Sequence, residues 1–482
     1  MNIISLFNHS LINRKNKTAV LFGDNEYTFE NIDKRSNKMA NLFLRKGLGS
    51  GDRLCVYAEN SVDFIDIYIA CIKTGIIFVP VNILYKEREL MHIYQDAKPR
   101  AFISSVTIPG NIIQYWNISQ IAAEALEESD AAIAVHTNGD TPAAIIYTSG
   151  TTGASKGAVL TNNNFLVNAV NLNTCWEINE QDRLLLALPL FHVHGLANGL
   201  HCWLISGCTL RLLERFEHQK AAAILSDFKP TIFFGVPTMF IRLLDMEPAM
   251  AKNIGSFVRL FVSGSAPLPP HILEAFREKY HHVILERYGM TETLMNISNP
   301  YVGERRAGTV GFPLPGVSAK IMDPMGKEVM TGEEGELYIK GSNVFKEYWM
   351  REEATKNAFA DGFFKTGDMA VCSEDGYYTL RGRKSDLIIS GGFNIYPREM
   401  EEYLMEQEGI AEAAVIGVPH ELRGEVPVAY LVAKGLSPDL SRIEENCRKT
   451  FASFKIPKAF ILIDQLPRTA LGKVQKHLLP KP

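Results

Sequence analysis

Apolar and polar positions follow two different rhythms along this chain. Near the start, "FENIDKRSNKMANLFLRKG" places Ile32, Met39 and Phe43 on one helical face, and Gly47 marks the stop. A strand, "RLCVYA", comes next, then a helix opened by Ser61, "SVDFIDIYIACIKTG", and a second strand, "IIFVPV". Strand–helix–strand order with nearly continuous apolar strands predicts a parallel sheet covered on both faces. "RLLLALPL", "TIFFGVP" and "RLFVSG" repeat the pattern, each running into a loop of Gly, Pro or Ser. In open α/β sheets such loops, at the carboxyl ends of strands, form the ligand crevice.

The rhythm changes near residue 305 to short strands, "AKIMD", "GELYIKG" and "GYYTLRGR". After Arg383 comes "KSDLIISGGFNIYPREMEEYL", with a Gly pair and a Pro–Glu helix start. Two strands, "AAVIGVP" and "VPVAYLVAK", then precede a helix carrying Ile443, Cys447 and Phe451 and a last strand, "AFILID". The predicted fold is a large α/β N-terminal domain over residues 1–383, with doubly covered, mostly parallel sheets plus a β-rich part. A small α+β C-terminal domain over 384–482 follows, with a hinge near 383–386.

Composition narrows the classes. The 482 residues exceed what one core usually organises. A net charge of −4 leaves no electrostatic footprint for nucleic acid. No long uncharged apolar run predicts a membrane span, and the first twenty residues lack a signal-peptide pattern. Seven cysteines are scattered with no C-x-x-C pair, so neither a disulfide framework nor a zinc site is expected, and a reducing cytoplasm fits.

Candidate chemistry begins at "YTSGTTGASKG", residues 147 to 157, directly after the apolar run "PAAII". Small residues after a strand let backbone N–H groups approach an anion, hydroxyls add donors, and Lys156 supplies a mobile cation suited to polyphosphate. The Walker pattern G-x-x-x-x-G-K-[ST] is absent, and the "GK" at 472–473 has no upstream Gly at the right spacing, which disfavours a P-loop ATPase.

This stretch resembles the phosphate loop of the adenylate-forming (ANL) superfamily, which includes acyl-CoA synthetases, nonribosomal adenylation domains and luciferases. The resemblance extends across nearly the whole chain, in the family's order: "LPLFHVHG", "SGSAPL", "ERYGMTET", "TGD", "GRKSDLIISGGFNIYP" and "PRTALGK". It implies a two-step reaction. A carboxylate attacks the α-phosphate of ATP, releasing pyrophosphate, and a thiol, usually that of coenzyme A, then displaces AMP.

The resemblance assigns expected roles. Thr148, Ser149, Gly150, Thr151, Thr152, Gly153 and Lys156 would hold the β and γ phosphates, Thr291 the α-phosphate, and Glu292 a Mg²⁺ ion. Adenine would lie against Tyr288, with Gly264, Ser265, Ala266 and Glu286 at its edge, and Asp368 and Arg383 on the ribose. Lys473 would bridge the acid and the α-phosphate during adenylation, so Lys473, Thr291 and His192 are the expected catalytic residues. Gly391 and Gly392 would line the pantetheine tunnel once the small domain, mobile in this family, has swung. Ser385 stands where relatives commonly carry Asp or Lys as the hinge, and Ser155 and Asn162 stand where many carry Pro and His.

Two arginines address the acid. Arg287 precedes "YGMTET", and Arg242 follows "GVPTMFI" on a segment that lines the acyl pocket in the family; His192 and Met290 complete the expected contacts. An unpaired guanidinium is costly in an apolar tunnel but matches a second carboxylate bidentately. The surrounding text resembles the malonyl-CoA synthetase branch, implying malonate or methylmalonate. Open alternatives are an exposed Arg242, an Arg287–Glu286 ion pair and a packed His192. In function the alternatives are a ligase for medium-chain or aryl acids and an enzyme loading a carrier protein, the latter disfavoured because no carrier domain follows before Pro482. No protein partner is evident in the sequence.

Overall fold

In the computed structural model the described residues are 3–108, 114–133, 135, 137–148, 155–390, 393–435, 437–468 and 474–480. They group into two compact units: Met1–Ala319 with Ile339–Phe364, and Lys320–Tyr338 with Lys365–Pro482.

The first unit carries two large sheets. One orders its nine strands Phe312–Pro313, Leu294–Ser298, Leu285–Met290, Leu260–Ser263, Ile232–Gly235, Arg183–Leu186, Thr209–Leu212, Thr18–Phe22 and Asn25–Thr28. From Leu285–Met290 to Thr18–Phe22 every pairing is parallel, as the apolar runs predict, and the antiparallel strands lie at the two ends. The second sheet runs Glu347–Tyr348, Lys156–Thr161, Pro142–Thr148, Ile77–Pro80, Arg53–Tyr57, Ala101–Ser104, Tyr115–Asn117. Between Arg53–Tyr57 and Ile77–Pro80, which pair in parallel, lies the helix Val62–Thr74, capped by Ser61 and ended by Gly75 in the left-handed region.

That helix is buried at every residue but Asp63, so its polar groups need internal partners. Asp66 accepts from Arg35 at 2.7 Å, and Lys73 donates to Asp33, Ser36 and Asn37 at 2.6 to 2.8 Å. All four partners come from the helix Phe29–Arg45, whose core face holds Ile32, Met39 and Phe43. The N-terminal stretch, read from sequence only as lacking a signal peptide, forms a helix, Ile3–Leu11, burying Ile3, Phe7 and Leu11.

In the second unit, Ile410–His420 and Gly424–Ala433 form a long antiparallel pair flanked by Ile388–Ser390, Phe393–Ile395 and Phe460–Leu462. Strand alternation gives this pair two buried faces. Val415, Ala429 and Leu431 pack against Met400, Leu404, Ile443 and Cys447 of the helices Pro397–Met405 and Leu440–Thr450. Ile416, Val418, Val428 and Tyr430 pack against Leu466 and Leu479 near the C-terminus. Phe451, expected on the helix, is its half-buried C-cap. All seven cysteines are free, and among the described residues no helix is long and apolar enough to cross a membrane.

One glycine controls the hairpin of Leu285–Met290 and Leu294–Ser298. A Cβ on Gly289 would lie 1.9 Å from the Leu294 carbonyl oxygen, inside the hairpin's own ladder. Gly289→Ala is therefore expected to destabilise the protein by about 1–3 kcal/mol, read as a lower urea midpoint. An unchanged midpoint would show that the hairpin shifts freely.

Candidate active site

The phosphate-loop candidate is the connection of an antiparallel hairpin: Pro142–Thr148 pairs with Lys156–Thr161, and Thr148 faces Lys156. Ser149, Gly150, Thr151, Thr152 and Gly153 lie outside the described residues. Both ends of the connection are tied to the helix Glu87–Ala97. The Tyr147 hydroxyl donates to Asp96 Oδ2 at 2.7 Å, and His92 Nε2 lies 2.8 Å from the Ser155 carbonyl oxygen. Lys156 is exposed, its Nζ 5.2 Å from the centroid of the Tyr348 ring.

Thr291 and Glu292, both buried, occupy the turn of the Leu285–Met290 hairpin. The Tyr348 hydroxyl donates to Glu292 Oε1 at 3.0 Å, and the Phe345 N–H donates to the Glu292 carbonyl at 2.7 Å. Asn343, fully buried, donates to the carbonyls of Thr293 and Met295 and to Asn296 Oδ1. Among the described residues no three His, Cys, Asp or Glu side chains gather as a metal-binding group. A hard cation at Glu292 would therefore take one protein carboxylate and complete its shell with phosphate and water oxygens, the mode Mg²⁺ favours.

The acid-side candidates form a buried group around Arg287, which is 5% exposed. Among the described residues its Nε and Nη2 find no acceptor. A Cβ on Gly264 would lie 2.3 Å from the guanidinium carbon, so only glycine lets this side chain rest on the backbone there. Burial lowers the Arg287 pKa to about 9, with the Glu286 carboxylate opposing, so the group is still a cation at neutral pH.

The His192 ring is half-buried by exposed surface yet enclosed enough that burial, then the Arg287 charge, push its pKa to about 4. His194 is buried, and the same two causes hold it well below its ordinary value. Its Nδ1 shares a 3.0 Å hydrogen bond with Ser265 Oγ, and among the described residues its Nε2 has no partner. At pH 7 the group is thus one cation beside two neutral imidazoles.

Local backbone explains how "LPLFHVHG" delivers both rings. Asn60 donates to the Leu188 carbonyl and accepts from the Leu190 N–H, pinning the loop. A π-helix, His194–Leu200, then continues into the helix His201–Ser206. Gly195 sits where a Cβ would meet the Pro189 carbonyl oxygen at 2.2 Å. π-helical turns recur at functional sites, and no 3.6-residue periodicity announces them.

Arg242 is placed differently. It lies exposed near the end of the helix Pro237–Leu243, its side chain has no partner among the described residues, and the structure does not join it to the Arg287 group. Met290 is half-buried, with its sulfur 3.8 Å from the Tyr288 hydroxyl. Tyr288 and Glu286 are buried, and Glu286 accepts from the Leu268 N–H at 2.9 Å. Gly264, Ser265 and Ala266 follow the strand Leu260–Ser263, with Ser265 in the left-handed region at φ 69°.

In the second unit Asp368 and Arg383 face each other across two paired strands and form a 2.9 Å ion pair. Gly367 precedes the aspartate at φ 71°, and Arg383 also donates to the Thr366 carbonyl. Ser385 lies in the 3-10 turn Lys384–Asp386, its hydroxyl on Asp386. Lys473, Gly391 and Gly392 lie outside the described residues. Arg468 and Val474 pair as an isolated bridge.

Asn343, Tyr348 and the His194–Ser265 contact were not found from sequence. "GSNVFKEYW", which carries Asn343 and Tyr348, drew no prediction, and their partners lie some fifty residues upstream in the hairpin turn.

A parallel-stranded unit presenting a small-residue hairpin and a buried acidic turn, accompanied by a smaller α+β unit, defines an adenylate-forming enzyme. The chain belongs to the AMP-binding enzyme family, matching that family's model over residues 7–349 and the AMP-binding enzyme C-terminal domain over 399–473. It is an ATP-dependent acid–CoA ligase of the ANL superfamily.

Among solved structures, ATP-bound MatB from Rhodopseudomonas palustris is similar at 36% identity and TM-score 0.92, over 99% of this chain and 98% of that one. A mitochondrial malonate–CoA ligase of Mus musculus is 34% identical over 96% of this chain and 89% of its own length. A 2-succinylbenzoate–CoA ligase of Bacillus licheniformis is 35% identical over 96% of both.

The buried imidazoles carry a stability consequence. His192, His194 and His201, the last held at about 3 by burial, ionise near 6.5 when unfolded and lower when folded. Below pH 6.5 the unfolded chain takes up protons that the folded chain refuses, so stability falls with pH by about 1.4 kcal/mol per unit per imidazole. Urea titrations from pH 7.5 to 5.0 should show His201→Gln with a slope shallower by about one proton. Equal slopes would mean that His201 is protonated in the fold.

Proposed function

We propose that this ligase activates a short dicarboxylate, malonate and by extension methylmalonate, giving the acyl-CoA thioester, AMP and pyrophosphate. The observation that carries the reading is the Arg287 guanidinium, buried and cationic with Nε and Nη2 unanswered. A monocarboxylate tail offers nothing to such a group. A second carboxylate accepts from it and removes the cost of the buried charge. Neutral His192 and His194 add hydrogen-bonding capacity without adding charge.

The other roles follow on this reading. Residues 148–153 and Lys156 take the β and γ phosphates, Thr291 the α-phosphate, and Glu292 the Mg²⁺ ion, which when bound neutralises phosphate charge. Tyr288 and the 264–266 loop take adenine, while Asp368 and Arg383 take the ribose hydroxyls. Lys473 brings a compact ammonium to the two anions as they meet. Residues 384–482 would act as the mobile part with Ser385 as pivot, and Gly391 and Gly392 would admit pantetheine.

A second reading has specific support. The 2-succinylbenzoate–CoA ligase matches at least as well as the mouse malonate–CoA ligase, at 35% against 34% identity over 96% of this chain, and its acid also bears two carboxylates. The two readings share the guanidinium and differ in the length of acid that reaches it.

Pyrophosphate release across malonate, methylmalonate, 2-succinylbenzoate, acetate, butyrate, octanoate and benzoate, with and without coenzyme A, separates them. Malonate is expected to exceed every monocarboxylate; preference for octanoate would overturn the proposal. Arg287→Ala should lower kcat/KM for malonate about 100-fold, close to 3 kcal/mol, and leave acetate nearly unaffected. Lys473→Ala should abolish adenylation while sparing thioester formation from pre-made acyl-adenylate. Equal loss in both half-reactions would remove Lys473 from its assigned place.

A further inference from the structure

We propose that His92 and Asp96 are positioning residues that clamp the two stems of the connection between Thr148 and Lys156, and so raise the affinity for ATP without touching it. The inference rests on the phosphate role proposed above for residues 148–153 and Lys156.

The hairpin gains an outside hold from one helix. Pro142–Thr148 registers with Ile77–Pro80 at Ala144, and Lys156–Thr161 registers with Glu347–Tyr348 at Ala158 and Val159. Nearer the connection, Tyr147 faces Gly157 and Thr148 faces Lys156. A two-stranded ribbon is marginal by itself and twists more than a broad sheet. His92 and Asp96 lie four residues apart on the helix Glu87–Ala97, hence on one face. The Tyr147 hydroxyl donates to Asp96 Oδ2 at 2.7 Å on one stem, and His92 Nε2 donates to the Ser155 carbonyl at 2.8 Å on the other. Trp349 adds a third tie. Its backbone N–H donates to the Gly157 carbonyl at 2.7 Å, and its indole N–H donates to the Asp96 carbonyl at 3.2 Å. The His92 and Tyr147 rings meet edge to face, 6.2 Å between centroids.

The charge of Asp96 points the same way. A carboxylate in the last turn of a helix opposes the macrodipole, and this turn carries no basic residue. The cations come from other elements: Arg351 pairs with Asp96 Oδ1, and Arg53 donates to the Ala97 and Lys98 carbonyls at 3.0 and 2.7 Å. Local helix energetics disfavour an acid at this position, and the tie to the hairpin accounts for it.

Held stems matter because a ligand that must order a mobile loop loses part of its binding free energy in doing so. With one hold removed the hairpin still has the other to fix its direction. Removing both therefore costs more than the two single losses combined. The acid, bound elsewhere on the proposed reading, gains nothing from the clamp.

Calorimetry on the full chain with Mg²⁺ tests this. Tyr147→Phe, which keeps the ring, and His92→Leu should each weaken ATP binding about threefold, and the double variant about fiftyfold. His92→Gln, whose amide can still donate to Ser155, should keep most of the affinity, and on an Asp96→Ala background Tyr147→Phe should have no further effect. The KM for ATP should rise in the same order, while the KM for whichever acid of the panel above releases pyrophosphate fastest stays within about twofold. Single effects that merely multiply in the double variant, or equal rises in both KM values, would overturn the inference and leave His92 and Asp96 packing residues. Lys156→Ala separates the two levels. If it weakens ATP binding while the Tyr147 and His92 variants do not, the clamp alone fails; if it leaves ATP binding unchanged, the phosphate role fails and the inference with it.

Discussion

A guanidinium buried with two nitrogens, Nε and Nη2, unanswered among the described residues is the constraint around which the larger unit is arranged. Left alone, such a charge costs several kcal/mol and invites the chain to move until water reaches it. The strands carrying Arg287 are denied that movement. Asn299 donates to the Glu286 and Thr309 carbonyls, and the Asn168 side-chain oxygen Oδ1 accepts from the Met295 N–H. Trp176 donates to Ser298, the residue directly opposite Arg287. With Asn343 on the turn, the hairpin is bonded by side chains on both strands and at its tip. These amides and the indole supply the rigidity that an exposed arginine would not need.

Electrostatics then divides the unit into two chemical regions. Around Arg287 the neighbours are made neutral: burial and the arginine's own field suppress the imidazolium forms of His192 and His194. A single anion arriving there would cancel most of that field and ease proton uptake by the same rings. At Lys156 and Glu292 the arrangement differs: one tyrosine ring lies between the two, its face toward the Lys156 ammonium and its hydroxyl donating to Glu292.

What was legible in the sequence depended on how local its cause was. The strand–helix–strand order, the Ser61 cap, the Gly75 stop and the face holding Ile32, Met39 and Phe43 all follow from residues within one or two turns of each other. So did the position of Thr148 and Lys156 at the two ends of one loop. Tyr348 and Asn343 could not be read this way. Their importance lies in bonds to a turn some fifty residues distant, and alone they look like strand and loop residues. The π-helix that begins within "LPLFHVHG" has no periodic signature, although at its start Gly195 sits so close to the Pro189 carbonyl that no side chain fits. For Arg242, residue type and neighbourhood gave no information on exposure, which is set by which face of a two-turn helix meets the core. Grouping of residues 320–338 with the C-terminal part likewise depends on contacts that sequence order hides.

The placement of the remaining cation follows from what the two half-reactions ask. During adenylation two anions must be brought together, and every fixed positive charge helps. During thioester formation a neutral acyl group meets a thiol, and an ammonium between them has no further task. A charge needed only for the first step is best carried on a separate element. On the roles proposed above, Lys473 would carry that charge, and the described chain on either side of its segment is held within the second unit by the Arg468–Val474 bridge, by the Arg468–Glu412 ion pair and by Lys476 with Glu401. A cation supplied from that unit lets Arg287 stay buried in the other, because the charge that must come and go would be built elsewhere.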